Sequence, residues 1–158
     1  MTSRGTILTA NLGMIALVVL VFTVSTVLAA GQYMSVAKDG VNIRSKPVAD
    51  SEVLWRLPKG FPLEILERKG DWAHVVDSSG DKGWVNIGML AKDKTVIVRT
   101  KANDANIRVG PGTNYEIVVQ AENGVMFAVL EYKGEWIKVK HADGTTGWIN
   151  KSVVWPGN

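Results

Sequence analysis

Beyond residue 30 the apolar residues fall into short runs and alternations, never into a sustained stripe at helical spacing. Trp136-Ile137-Lys138-Val139-Lys140 alternates position by position, the mark of a strand with one buried face. Phe61-Pro62-Leu63-Glu64-Ile65-Leu66 and Val125-Met126-Phe127-Ala128-Val129-Leu130 are β-rich runs of strand length. His141-Ala142-Asp143-Gly144 turns the chain into Gly147-Trp148-Ile149, and Val76-Asp77-Ser78-Ser79-Gly80 makes the same kind of turn earlier. Each places a glycine where a hairpin calls for left-handed backbone. Lys92-Asp93-Lys94 is a brief polar hinge before Thr95-Val96-Ile97-Val98, the next strand. The pattern predicts an all-β chain after residue 31.

One segment reads differently. Met14 to Phe22 is nine apolar residues in a row, behind Arg4 and the terminal amine, and small residues follow through Ala30. This is the pattern of a secretory signal peptide, with Val27/Ala29 or Leu28/Ala30 preceding the cleavage point. Met14 to Ala30 is also 17 residues, long enough for an uncleaved N-terminal membrane anchor. Under both readings residues 1–30 form a hydrophobic helix and the remainder is exported, to the periplasm or the extracellular side. Membrane contact is then confined to residues 14–30, and only where the segment is retained.

A shift of 64 residues lays the chain on itself. Asn42-Ile43-Arg44 meets Asn106-Ile107-Arg108, Lys69-Gly70-Asp71-Trp72 meets Lys133-Gly134-Glu135-Trp136, and Gly83-Trp84-Val85-Asn86 meets Gly147-Trp148-Ile149-Asn150. Across positions 42–86, 16 of 45 residues are identical without a gap. The chain is therefore a duplicated unit, divided here into residues 31–93 and 94–158, each large enough to hold its own small core.

Composition narrows the chemistry. Eighteen Lys+Arg against fifteen Asp+Glu give +3, too balanced for a dedicated nucleic-acid binder. The absence of cysteine removes disulfides, thiolate metal sites and thiol nucleophiles together. Two histidines, His74 and His141, leave little material for a metal centre, so neither a metal nor a cofactor is expected. Neither histidine recurs in the other copy: position 74 aligns with Lys138, and position 141 with Asp77. Asp77 and Asp81 flank a turn, as solvated hairpin tips do. No nucleophile–base pair is visible, and the expectation is a protein that is not an enzyme.

Asn-Ile-Arg-x-x-Pro, Gly-Asp/Glu-Trp and Gly-Trp-Val/Ile-Asn, each occurring twice, resemble the bacterial Src-homology-3 domain over roughly residues 33 to 156. The resemblance implies two tandem small SH3-like barrels, each of five strands. Such domains accompany cell-wall hydrolases or sit on envelope proteins, and some bind peptidoglycan peptides. The partner implied is peptidoglycan, or alternatively an envelope protein such as a wall hydrolase for which this chain is an adaptor. The second copy, with Asn106-Ile107-Arg108-Val109-Gly110-Pro111-Gly112-Thr113, is the closer match; the first has Lys46 and Val48 in place of Gly110 and Gly112. Its first loop is therefore expected to follow a different backbone path, leaving the second copy as the stronger binder.

The candidate ligand-binding residues are Arg108, Trp136, Gly110, Gly112, Arg44 and Trp72. By strand phase, Trp136 shares a face with Lys138 and Lys140, opposite Ile137 and Val139, and Trp72 shares one with His74. These indoles either contact a ligand or are covered by loops or by the other copy, and so are Trp84 and Trp148. Arg44 and Arg108 either grip a ligand carboxylate bidentately or hold their own first loops. Asn42, Asn106, Asn86 and Asn150 read as turn and strand-end residues bonding nearby backbone. Gly110-Pro111-Gly112 is a turn, since no lysine or helix follows as a phosphate loop would need.

Overall fold

The computed structural model describes residues 31–102 and 104–157. The hydrophobic helix expected over residues 1–30 lies outside them, and no helix among the described residues is long and apolar enough to cross a membrane. The described chain is all-β, as its alternation predicts. The first sheet contains β1 (Gln32–Val36), β2 (Val41–Arg44), β3 (Val53–Leu57) and β4 (Pro62–Lys69). It continues with β5 (Trp72–Val76), β6 (Lys82–Asn86) and the two-residue β7 (Leu90–Ala91). The second sheet opens with β8 (Thr95–Val98), β9 (Asp104–Arg108), β10 (Ile117–Glu122) and β11 (Met126–Lys133). It ends with β12 (Trp136–Lys140), β13 (Thr146–Asn150) and β14 (Val154–Trp155).

The two antiparallel sheets have one topology. Their strand orders are β3-β2-β6-β5-β4-β1-β7 and β10-β9-β13-β12-β11-β8-β14, so each strand has its counterpart in the other sheet. Each sheet has seven strands rather than the five expected. The additional pairing comes from the chain ends of each unit: β1 lies along β4, and β7 returns to lay two residues along β1. A 3-10 turn makes that return possible. Asn86 Oδ1 accepts the Gly88 N–H at 2.9 Å, and Asn150 Oδ1 accepts the Ser152 N–H at 3.0 Å. These two asparagines act as expected. Asn42 and Asn106 do not, because each Oδ1 accepts from a cross-strand side chain instead, Arg56 Nε at 3.0 Å and Gln120 Nε2 at 3.1 Å.

Burial follows the repeat. Ile43, Ala73, Val75 and Val85 are fully buried in the first core, and Ile107, Ile137, Val139 and Ile149 occupy the same positions in the second. Burying each aliphatic side chain larger than alanine contributes about 1.5–3 kcal/mol. β4 and β11 each serve two neighbours, and each carries a register shift, between Ile65 and Glu67 and between Val129 and Glu131. Such an irregularity bends a strand. It also turns the repeated Leu66 and Leu130 to solvent.

The 64-residue period breaks upstream of Val41. Val36 O accepts from Gly60 N, and Val98 O accepts from Gly124 N, which makes Val36 and Val98 counterparts at a separation of 62. The loop 100–104 of the second unit is accordingly two residues longer than 38–40 of the first.

At the hairpin tips Asp77 Oδ1 accepts from Ser79 N at 2.7 Å and Asp81 N at 3.1 Å, and Asp143 Oδ1 accepts from Thr145 N at 2.7 Å. The Thr145 N–H, then its hydroxyl and His141, hold the Asp143 carboxyl down to about 2 from its ordinary 3.8. A group whose folded pKa is depressed stabilises the turn above its unfolded pKa and loses that effect as pH falls through the folded one. The Thr145 amide resonance should therefore hold its folded position above pH 3.8 and move as pH falls toward 2. An amide that titrates only above pH 5 would contradict this.

β2 meets β6 at one registered pair, Arg44 opposite Trp84, and β9 meets β13 at Arg108 opposite Trp148. Glycine stands next to each. A Cβ on Gly83 would collide with Ile43 Cγ2, and one on Gly147 would lie 2.5 Å from Ile107 Cγ2 and 2.8 Å from the Arg108 carbonyl oxygen. Gly83→Val and Gly147→Val should each destabilise the protein by roughly 1–3 kcal/mol in urea unfolding. Gly147→Val should be the worse, because the backbone carbonyl it meets is closer, 2.8 Å at Arg108 against 3.2 Å at Arg44 for Gly83. Losses no larger than that of Glu131→Gln would refute the assignment.

Candidate functional site

The first loop of each unit, 44–52 and 108–116, is built around one arginine. Arg44 Nη1 donates to Ser51 O at 2.6 Å, and Arg108 Nη1 donates to Tyr115 O at 2.7 Å. Each guanidinium thus holds its own loop, one of the two roles open to it. A guanidinium has five N–H groups, so the Nε–Nη2 edge can still receive a carboxylate side-on.

The two loops share one backbone path, contrary to the expectation drawn from Lys46 and Val48. Ser45 N→Glu52 O, Val48 N→Lys46 O and Ser51 N→Val48 O recur as Val109 N→Glu116 O, Gly112 N→Gly110 O and Tyr115 N→Gly112 O. Pro47 and Pro111 stand at the centre of the tight three-residue turns, where a fixed φ is an advantage. Gly110 and Gly112 are not among the positive-φ glycines, so the path does not require glycine. What differs is the filling. A Cβ on Gly110 would enter the Tyr115 ring, and one on Gly112 would lie 3.2 Å from it. The glycines therefore accommodate a tyrosine of their own loop, in the space foreseen for a ligand. In the first unit Ser51, the counterpart of Tyr115, donates its hydroxyl to Lys46 O at 2.9 Å and Val48 O at 2.8 Å, two alternatives for one proton.

The tryptophans divide into two kinds. Trp84 is stacked on His74 at 4.8 Å and 18°, and Trp148, 8% exposed, has the Lys138 ammonium 6.0 Å from its ring centre. Each is covered by the registered neighbour across the strand pair rather than by a loop. Trp72 and Trp136 are half-buried on the outer face, opposite Asn86 and Asn150. Unrepeated Trp55 packs against the first core, and Trp155 sets its edge against Tyr33 of the other unit at 5.6 Å.

In the first unit the structure brings Arg44 and Trp72 to one cavity of about 310 Å³, with Lys38, Asn42, Asn86 and Met89 in its walls. No carboxylate lines it, so the groove is basic. In the second unit Asp104 occupies the position of Gly40, immediately before the strand position shared by Val41 and Ala105. Arg108 and Trp136 are not brought to one of the cavities described for the second unit. The sequence named Arg44 and Trp72 but not Lys38 or Met89, whose contribution depends on loops rather than on any motif.

The Gly110–Tyr115 contact yields a double-mutant test. Gly110→Ala should cost roughly 1–2 kcal/mol in unfolding free energy, and much less in a Tyr115→Ser background. Equal costs in both backgrounds would show that the ring does not occupy that space.

The family model for the bacterial SH3 domain matches the chain twice, at residues 37–92 and 101–156. A Bacillus subtilis protein named as an N-acetylmuramoyl-L-alanine amidase, YrvJ, is 30% identical over 144 residues, covering 85% of this chain and 28% of that protein. A Staphylococcus epidermidis protein named as a cell wall amidase, LytH, is 35% identical over 51 residues, 32% of this chain and 18% of that one. The chain thus spans less than a third of either relative's length. Among solved structures, NlpC1 from Trichomonas vaginalis is 15% identical with a TM-score of 0.37, covering 87% of this chain and 50% of that one.

Proposed function

The chain belongs to the bacterial SH3 domain family, and from that premise we propose that it is a non-enzymatic binding protein of the cell envelope that recognises the peptides of peptidoglycan. It is exported, and its two binding units are residues 31–93 and 94–158. The observation that carries this reading is the basic groove of the first unit, where Arg44 and Lys38 stand beside the half-buried Trp72. A wall peptide has carboxylates for the free edge of the guanidinium and apolar side chains for the indole. The names of the two curated relatives fit a wall ligand.

Within this reading the first unit binds more strongly, the reverse of the expectation drawn from Gly110 and Gly112, because its groove gathers Arg44, Lys38 and Trp72 with no carboxylate in the walls. Arg44 has a double duty, clasping its loop through Nη1 and offering its other edge outward.

The adaptor reading has one observation in its favour. Ile117, Val118 and Val119 are 48%, 46% and 41% exposed on the edge strand β10. An exposed apolar edge is suited to docking another protein.

Co-sedimentation of the protein with purified sacculi separates the two. Trp72→Ala should weaken binding by roughly 1–3 kcal/mol, and Trp136→Ala by less. Val118→Lys should leave sacculus binding unchanged. Loss on Val118→Lys with retention on Trp72→Ala would transfer the function to the apolar edge.

A further inference from the structure

A cavity of about 970 Å³ lies between the two sheets and shares no lining residue with the Arg44–Trp72 groove. The first unit contributes Ser78 and Ser79 from its hairpin tip, and the second contributes Arg99, Lys101, Asn123 and Trp155. No carboxylate lines it, and the ion pair found among the described residues, His141–Asp143, involves neither cation. Arg99 Nη1 donates to Ser79 Oγ at 3.3 Å, a long bond that crosses from one unit to the other. It leaves the Nε–Nη2 edge of the guanidinium uncommitted.

The loop that supplies these cations is held in place. Asn123 Oδ1 accepts from Thr100 N at 2.7 Å, and its Nδ2 donates to Thr100 O at 3.0 Å and Ala102 O at 3.2 Å. Lys101 sits between the two clamped residues. This is also where the second unit is two residues longer, and the counterpart of Arg99 in the first unit is Ala37, each N–H meeting the carbonyl of Val153 or Met89. Arg99 thus stands where the first unit has alanine, and Lys101 stands in the loop that is longer in the second unit. Trp155 and Phe61 add apolar surface to the same cavity. Clefts between domains with a few converging polar groups are frequent ligand sites.

We propose that this cleft is a second binding site, for a peptide with a free carboxylate: Arg99 and Lys101 take the carboxylate, and Trp155 takes an adjacent apolar side chain. Charge-assisted hydrogen bonds supply the grip. The gripping groups come from the second unit, and Phe61, Ser78 and Ser79 of the first form the facing wall, so an occupant touches both units.

The test follows backbone amide resonances of the whole protein during titration with N-acetyl-Ala-Glu-Ala bearing free carboxylates. N-acetyl-Ala-Gln-Ala-amide and tripolyphosphate serve as comparisons. The free acid should shift Ser79, Thr100 and Gly124 together, and the amidated peptide should bind at least about tenfold more weakly. Arg99→Ala with Lys101→Ala, both at exposed positions, should abolish the shifts, whereas Trp72→Ala should leave them intact. The proposal is overturned if the free acid produces no shifts, if the amidated peptide binds equally, or if the double variant still binds. Shifts with tripolyphosphate but not with the peptide would overturn it in favour of a phosphate ligand. Because Trp72→Ala reads the other groove, failure here leaves the sacculus result standing, and failure there leaves this one.

Discussion

Each sheet is held together across its middle by one registered pair. Arg44 opposite Trp84 joins β2 and β3 to the other five strands, and Arg108 opposite Trp148 does the same in the second unit. The join needs backbone to come closer than a Cβ permits, which is the task of Gly83 and Gly147. Much of the functional face depends on this approach. The arginine reaches across its loop because its strand is anchored there, and the tryptophan opposite is presented to His74 or Lys138 on the next strand. Loosening the glycine contact would release the loop and the aromatic row together.

Much of this architecture was legible in the sequence, for reasons that can be named. Alternation in Trp136-Ile137-Lys138-Val139-Lys140 reports one buried face directly, and Ile137 and Val139 are indeed fully buried. Repetition at 64 residues pointed to one topology shared by two units. What escaped was whatever depends on pairing between distant segments. β7 has two residues, too few for any periodicity, and exists because a capped turn returns it to β1. The exposure of Leu66 and Leu130 follows from a register shift that no local pattern announces.

The first loop shows how a local argument can be sound and still misplace its consequence. Glycine does widen the allowed backbone, but the loop's path uses ordinary φ values, so lysine and valine follow it as well. The missing side chain mattered for space rather than for torsion, and Tyr115 claimed that space. Reading Arg44 and Arg108 as loop clasps was within reach of the sequence. That one of them also lines a basic groove was not, because Lys38 and Met89 reach it through the turn before β2 and the 3-10 turn after β6, whose paths no local pattern announces.

Duplication separates what must be kept from what is free to change. The inward positions stay apolar in both units, and along one outward cross-strand row Glu67, Trp84 and Arg44 recur as Glu131, Trp148 and Arg108 while His74 becomes Lys138. Gly40 becomes Asp104, Ala37 becomes Arg99, and the loop that follows gains two residues in the second unit. Such changes cost little stability, because solvated positions contribute little to the core. They do change what each surface attracts, since a charge near a half-buried aromatic acts where water is partly excluded. Two copies of one fold thus present unlike surfaces, and setting them side by side makes a third. Trp155 against Tyr33 and Arg99 reaching Ser79 bring the inserted loop to the other unit's hairpin. A single copy could vary its own groove, but only a pair can make a cleft between copies, and Arg99, which stands where the first unit has Ala37, lies in that cleft.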